Sequence, residues 1–351
     1  MTESVISHKC PNCDGPLLFD PEKQQFHCEY CLSVFTETDL SETEQVTSAE
    51  NIQETSHETF NLYDCPSCGA EVVTDETTAA TFCYYCHNPV VLKDRISGEF
   101  LPNNILPFAI SKDQAKESFI NWTNKKKFIP KGFFDASQID KITGIYFPYW
   151  KTDAQFKGRI RATGTKITIW RVGETEYTRT RRYKLSRGGS AKFFDLIKNA
   201  LQKNEKQLMI ESVQPFPMEN ISNFDSKFLS GFQAEKRDLE FSQIEQRVNN
   251  ELSHYTENLL KNQINGFTSV HVKNKEINLI NQSNKYLLLP VWIVTYPNHE
   301  IKMNPYYYAM NGVTGKTSGK LPINKPKLIG ASLTLGVIIM LIVLLGGYWL
   351  F

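Results

Sequence analysis

Apolar and polar positions change texture sharply at Leu328, from which 24 residues run to Phe351 without a charge. About 20 apolar residues span a bilayer, so this pattern predicts a transmembrane helix over 328–351. Upstream, from Phe100, the apolar spacing is that of a globular domain. Ser111 followed by Gln114 predicts a capping box, opening a helix with Ala115, Phe119 and Trp122 on one face. Lys125-Lys126-Lys127 stands at its end, where cations complement the helix dipole. Ile142 to Asp153 reads as an aromatic strand, and from Ala154 to Leu185 polar residues alternate with apolar or Thr residues, as in an antiparallel sheet. Ser190 is placed to cap a second helix through Phe193, Phe194, Ile197, Ala200 and Leu201. A longer, mostly polar helix is expected from about Leu239 to Ile264, ending before Gly266. Phe267 to Ile280 and Tyr286 to Tyr296 return to strands, the second apolar enough to be central. Within it, Leu289-Pro290-Val291-Trp292 echoes Phe147-Pro148-Tyr149-Trp150, a hint of a duplicated strand.

Before this domain the pattern breaks into short apolar runs between turn residues, and Thr36 to Phe60 is polar and acidic. Such a stretch behaves as a flexible linker, here over 36–60, which leaves small modules at 1–35 and 61–95 able to move independently. The expected architecture is therefore multidomain: two small ribbons, an α+β, mainly antiparallel domain over 100–322, and one C-terminal transmembrane helix over 328–351.

The cysteines say what the small modules are. All eight fall into two copies of one pattern, Cys10, Cys13, Cys28, Cys31 and Cys65, Cys68, Cys83, Cys86, each with 14 residues between its pairs. Each Cys-x-x-Cys turn can aim two thiolates at one ion, and two turns complete a closed tetrahedral shell, so the spacing predicts two structural Zn2+ sites in tandem zinc ribbons. Pro11 and Gly15, then Pro66 and Gly69, supply the turn residues the knuckles need. Disulfides are the alternative, disfavoured because the chain opens without a secretory signal. His8, His27 and His87 stand beside complete ligand sets and read as bystanders, and His254, His271 and His299 as structural or surface residues.

Charge narrows the role of these ribbons. Net charge is +1, but residues 1–99 hold 4 Lys/Arg against 18 Asp/Glu, while the rest hold 35 against 20. Ribbons this acidic repel a phosphate backbone, which favours protein binding over nucleic acid for them. From Lys151 to Ser190 there are 11 Lys/Arg and 3 Asp/Glu, a basic face suited to solvent, to anionic lipid headgroups or to an acidic protein surface. Lys316, Lys320, Lys325 and Lys327 precede the apolar span, so the positive-inside rule places the body in the cytoplasm, as a single-pass, tail-anchored protein of the cell membrane. Gly315-Lys316-Thr317 is not a phosphate loop: Met310 stands where that loop needs a glycine, and Asn311-Gly312 predicts a hairpin turn. With no nucleophile elbow and no open-shell metal motif, the chain is expected not to be an enzyme.

The paired knuckles Cys10-Pro11-Asn12-Cys13 and Cys28-Glu29-Tyr30-Cys31, repeated as Cys65-Pro66-Ser67-Cys68 and Cys83-Tyr84-Tyr85-Cys86, together with the two Pro-x-Trp strands, the hairpin after them and the apolar span, resemble a family of bacterial membrane-anchored proteins with a double zinc ribbon like that of transcription factor IIB. The resemblance implies a companion in Gram-positive envelope-stress systems: a phage-shock protein A homologue, or a protein of the stomatin and flotillin group. The function it implies is a non-enzymatic membrane adaptor that recruits cytosolic proteins. The competing expectation is a membrane-tethered nucleic-acid-binding protein using the basic strands between Lys151 and Arg187.

Overall fold

The computed structural model describes residues 5–6, 8–13, 15–41, 61–64, 71–74, 78–82, 89–92, 100–130, 139–202, 210–296 and 306–350. The N-terminal part holds β1 (Val5–Ile6), β2 (Leu17–Asp20), β3 (Gln25–Cys28), β4 (Val34–Phe35) and a short helix α1 (Glu37–Ser41), then β5 (Asn61–Asp64), β6 (Glu71–Thr74), β7 (Thr78–Phe82) and β8 (Pro89–Leu92). The body holds β9 (Asn104–Ile105), α2 (Lys112–Asn124), β10 (Thr143–Val172), β11 (Thr175–Asn199), β12 (Ser222–Asn223), β13 (Gln233–Glu235), α3 (Phe241–Asn262), β14 (Ser269–Tyr296), β15 (Tyr306–Asn311) and β16 (Thr317–Lys320), and α4 (Lys325–Leu350) closes the chain.

Two long antiparallel strands, β10 and β14, form the spine of a mostly antiparallel sheet. Both carry a proline, which has no N–H to give a neighbour and belongs where pairing is interrupted. Each proline sits at such a gap. On the outer side of β10, parallel β13 pairs with Ile145 and Tyr146, antiparallel β11 pairs from Tyr149 onward, and Pro148 falls between them. On the outer side of β14, parallel β9 pairs with Leu287 and Leu288, antiparallel β15 pairs from Val291 onward, and Pro290 falls between them.

The correspondence extends to the helices. Trp150 donates its indole N–H to the Leu239 carbonyl at 2.8 Å, just before the capping box Glu240/Gln243 of α3. Trp292 donates to the Ile110 carbonyl at 3.0 Å, just before the capping box Ser111/Gln114 of α2. Each half of the body is thus short strand, helix, long strand, strand, and the short strand of each half pairs with the long strand of the other. The echo between the two Pro-x-Trp segments is a structural duplication.

One expected helix is a strand. Ser190 to Asn199 belongs to β11, paired along β10. A bulge at Phe194 and Asp195 disguises it: Asp195 takes φ +57, and its N–H donates to Asp153 Oδ1 at 2.8 Å. Ala191 and Phe193 are turned inward two residues apart, and the extra residue makes the next step on that side three, to Leu196; Phe194, exposed at the bulge, and Ile197, packed in the other core, complete a spacing that imitates a helix.

Helix α3 does form where expected. Its buried stripe Ile244, Val248, Leu252, Thr256 and Leu260 packs on the spine, and its polar face meets solvent. Gly158 permits this approach, since a Cβ there would lie 3.0 Å from Leu260 Cδ1. Beyond Thr165, which pairs with the first residue of β14, β10 and β11 continue alone to a turn at Gly173 (φ +61). At about 3.3 Å per residue, the 30 residues of β10 extend ~100 Å. Their Thr143 end carries β14 to β16 and the start of α4, so the free hairpin points to the opposite end.

The first ribbon is docked on the body, contrary to the independent motion expected of it. Phe19 packs edge-on and Phe26 tilted against Phe228, at 5.1 and 6.0 Å, and the Phe19 N–H donates to the Ser230 carbonyl at 3.1 Å. The pairing β1-β8-β7-β13 also runs the N-terminal strands into the main sheet. The 36–60 linker begins as α1, with Leu40 buried; its residues 42–60 lie outside the described residues. Asn311 to Thr317 is the hairpin turn expected in place of a phosphate loop. Helix α4 is apolar enough from Lys325 to Val343 to cross a membrane, and its 26 residues would extend ~39 Å.

Candidate metal centre

Two turns bring four thiols together. The first runs from Lys9, which bridges to Pro16, and carries Cys10 and Cys13. The second follows β3, with His27 paired to Val34, and carries Cys28 and Cys31. The β2-β3 hairpin joins them, its turn held by Asp20 Oδ1, which accepts from the N–H groups of Glu22 and Lys23. Backbone bonds tighten both turns: Cys10 N–H to the Gly15 carbonyl at 2.7 Å, and Cys28 N–H to the Ser33 carbonyl at 3.0 Å. Gly15 is required by close approach, because a Cβ there would stand 3.1 Å from Cys28 Sγ and 3.3 Å from Cys13 Sγ.

The four Sγ atoms all lie within 4.8 Å of one another, with Cys10–Cys31 and Cys13–Cys28 both at 3.5 Å. Zn–S bonds of ~2.3 Å in a tetrahedron place sulfurs ~3.8 Å apart, so the donor set fits one ion such as zinc. The Asn12 N–H, 3.4 Å from Cys10 Sγ, adds a backbone donor to a thiolate. Burial pushes the Cys10 thiol up, whereas the hydroxyl and backbone of Ser33 bring Cys31 down to about 6. Both histidines beside the set are bystanders in it: His8 Nε2 meets Ser226 Oγ at 3.0 Å, and His27 is outside the cluster. His87 and His299 lie outside the described residues, and His254 and His271 are exposed.

Cys65, Cys68, Cys83 and Cys86 also lie outside the described residues. The strands around them repeat a register seen in the first ribbon. There, the residue before each Cys-x-x-Cys pairs with the residue seven positions on, Lys9 with Pro16 and His27 with Val34. Asp64 pairs with Glu71 and Phe82 with Pro89 in the same way.

The knuckle of the second turn is apolar and open. Tyr30, Leu32 and Val34 are 74%, 80% and 52% exposed, and Leu32 is held outward at φ +59. Sequence reading used Tyr30 only as part of a metal-binding knuckle; the alternation Tyr30, Leu32, Val34 just past a ligand was the signal available for this patch.

Comparison with known proteins found one relative. The chain is 31% identical over 324 residues to the uncharacterized protein YdjG of Bacillus subtilis (strain 168), covering 92% of each chain. It belongs to the YdjG family. No family model matches the chain, and no solved structure does. The 92% span means that the YdjG likeness takes in the bulk of the chain and not the ribbons alone.

Proposed function

We propose that this protein is a non-enzymatic adaptor that holds a cytosolic protein at the membrane. Helix α4 serves as the membrane span, and the lysines before it, Lys316, Lys320, Lys325 and Lys327, support a cytoplasmic body by the positive-inside rule. The first ribbon holds one zinc ion, and a second ion sits on Cys65, Cys68, Cys83 and Cys86, a reading supported by the repeated register of the flanking strands. The partner is a phage-shock protein A homologue or a relative of the stomatin and flotillin group, on the strength of the family resemblance.

The observation that carries the adaptor reading is the Tyr30-Leu32-Val34 patch. Three exposed apolar side chains within five residues of one metal knuckle mark a protein interface better than scattered surface residues do. Crosslinking purification from membranes should recover a protein partner with the intact chain and lose it with Tyr30→Ser, Leu32→Ser, while zinc content stays unchanged. Equal recovery from both would remove the patch as the interface. Cutting the chain after Lys327 should release body and partner together into the cytosol.

A second reading rests on the uncovered face of the spine. Lys157, Arg159, Arg161, Arg182 and Lys184 are exposed there, on alternate positions of β10 and their partners in β11. A row of basic side chains on one face suits a nucleic-acid phosphate backbone. Binding of the soluble body to DNA or RNA should then fall steeply with salt; no binding at low salt removes this reading.

A further inference from the structure

The foot of α4 is built into the body. Asn324 caps the helix, its Oδ1 accepting from the Lys327 N–H at 3.0 Å, and its own N–H donates to the Phe128 carbonyl at 2.7 Å. This second bond ties the loop that follows α2 to the start of the membrane helix. Between the two segments lies a cavity of about 430 Å³. Its walls are apolar, from Trp122, Phe128, Leu321 and Leu328, and three consecutive lysines, Lys125, Lys126 and Lys127, line it. No carboxylate is among the described lining residues, and the Lys126 ammonium stands 5.0 Å from the centre of the Trp122 ring.

We infer that this cavity is a binding site for one anionic phospholipid. Leu328 belongs to the first turn of α4, so where that helix crosses the bilayer the cavity opens at the level where headgroups meet hydrocarbon. The inference rests on the membrane-spanning reading of α4. An acyl chain covers the apolar walls, and the phosphate meets three ammonium groups that repel one another and have no counter-charge among the described lining residues. A dipole role at the end of α2 does not account for the arrangement: α2 ends at Asn124, and the lysines continue past it around an apolar hollow. The cavity lies within the ~300–1,000 Å³ usual for small-molecule sites. A general attraction of basic residues to the membrane surface has no stoichiometry, whereas a built cavity holds one lipid.

The test is native mass spectrometry of the full-length protein in dodecyl maltoside, titrated with phosphatidylglycerol or with phosphatidylcholine of the same acyl chains. The wild type should retain one phosphatidylglycerol where phosphatidylcholine is lost. Lys125→Gln, Lys126→Gln, Lys127→Gln should weaken retention about tenfold or more, since each charge contributes at the membrane surface. Lys325→Gln, Lys327→Gln, whose residues do not line the cavity, should leave it unchanged. Equal retention of the two lipids, equal retention by the triple variant, or full displacement by millimolar inorganic phosphate would overturn the assignment. Alkaline carbonate extraction of membranes carrying the wild type separates the two failures. Release of the protein would remove the spanning helix itself, while a protein that stays embedded without lipid preference would remove only the site.

Discussion

Asn199 and Asn311 end equivalent strands in the two halves of the body, and each is buried. The residue after each donates its N–H to the proline of the neighbouring spine strand, Ala200 to Pro148 and Gly312 to Pro290. Their own bonds differ. Among the described residues the Asn199 side chain bonds Leu201, through its carbonyl and its N–H, whereas Asn311 donates to the Val213 and Pro215 carbonyls and accepts from Val313 and Thr314. Losing a side chain that satisfies buried backbone groups costs about 1–3 kcal/mol for each group left unpaired. Asn311→Ala should therefore destabilise the body by roughly 3 kcal/mol or more, and Asn199→Ala by clearly less, in urea melts. Equal losses would mean that the extra bonds of Asn311 contribute nothing. Buried tyrosines set a second expectation. Burial pushes Tyr146, Tyr149 and Tyr286 well above the usual phenol range and Tyr308 up to about 12. The unfolded chain releases these protons near pH 10, so the folded state binds more protons above that pH and stability must fall there. Stability should be flat in this respect below pH ~10 and decline from pH 10 toward 12, with phenolate absorbance rising together with unfolding. Tyrosines that ionise before the fold is lost would contradict their burial.

At the scale of elements, β10 and β11 combine two different environments on one pair of strands. From Trp150 to Ala162, alternate residues of β10 are buried on the side where α3 packs; from Lys166 to Val172 every residue is exposed, and among the described strands only the other arm of the hairpin pairs with it. A two-stranded ribbon alone is marginal in water, so these last pairs depend on the rest of the sheet and return little to it. Replacing Ile167 to Thr180 with a short Asn-Gly turn should change unfolding free energy by no more than about 0.5 kcal/mol, and amides of this tip should exchange fastest within β10. A large loss would show that the tip supports the spine. The same strands explain what the sequence disclosed and what it hid. Alternation from Ala154 to Leu185 gave antiparallel strands, because the pairing keeps a two-residue period there, but not the turn at Gly173. Past Ser190, Phe193, Phe194 and Ile197 fall at helical intervals although Phe193 and Ile197 pack into different cores and Phe194 is exposed at the bulge, and no local signal distinguishes an added residue in a strand from a turn of helix. Ser111 and Gln114 were legible because a capping box is a local device. The prolines were legible as an echo, but their meaning lay in the ends of β13, β11, β9 and β15, which only the pairing reveals.

For the whole molecule, the metal centre and the body are one packed unit, although the eight cysteines made the ribbons look separable. Spacing alone gave the ligand set Cys10, Cys13, Cys28 and Cys31, because thiolate geometry is fixed by short turns; it could not give the docking of Phe19 and Phe26, which depends on Phe228 and Phe232, some 200 residues later. A ribbon of this size cannot fold on apolar burial alone, so it depends on its ion. Removing the metal should then do more than open the ribbon. Phe228 would lose both ribbon rings that cover it, while Phe232 would lose Phe19 and keep Phe108, Tyr146 and Trp292, at about 2 kcal/mol for each large side chain, Phe19 included, returned to water. In the full-length protein held in detergent, chelation should lower the melting temperature of the body by about 5–15 °C, given a few degrees per kcal/mol for a domain of this size. Cys10→Ser, Cys13→Ser should reproduce that shift without a chelator, and restoring zinc should reverse it in the wild type only. Because Tyr30, Leu32 and Val34 point away from this contact, Tyr30→Ser, Leu32→Ser should leave the melting temperature unchanged and abolish only partner binding. A body that melts alike with and without zinc would mean that the ribbon is a passenger on it, and would return the metal to a role confined to the exposed knuckle.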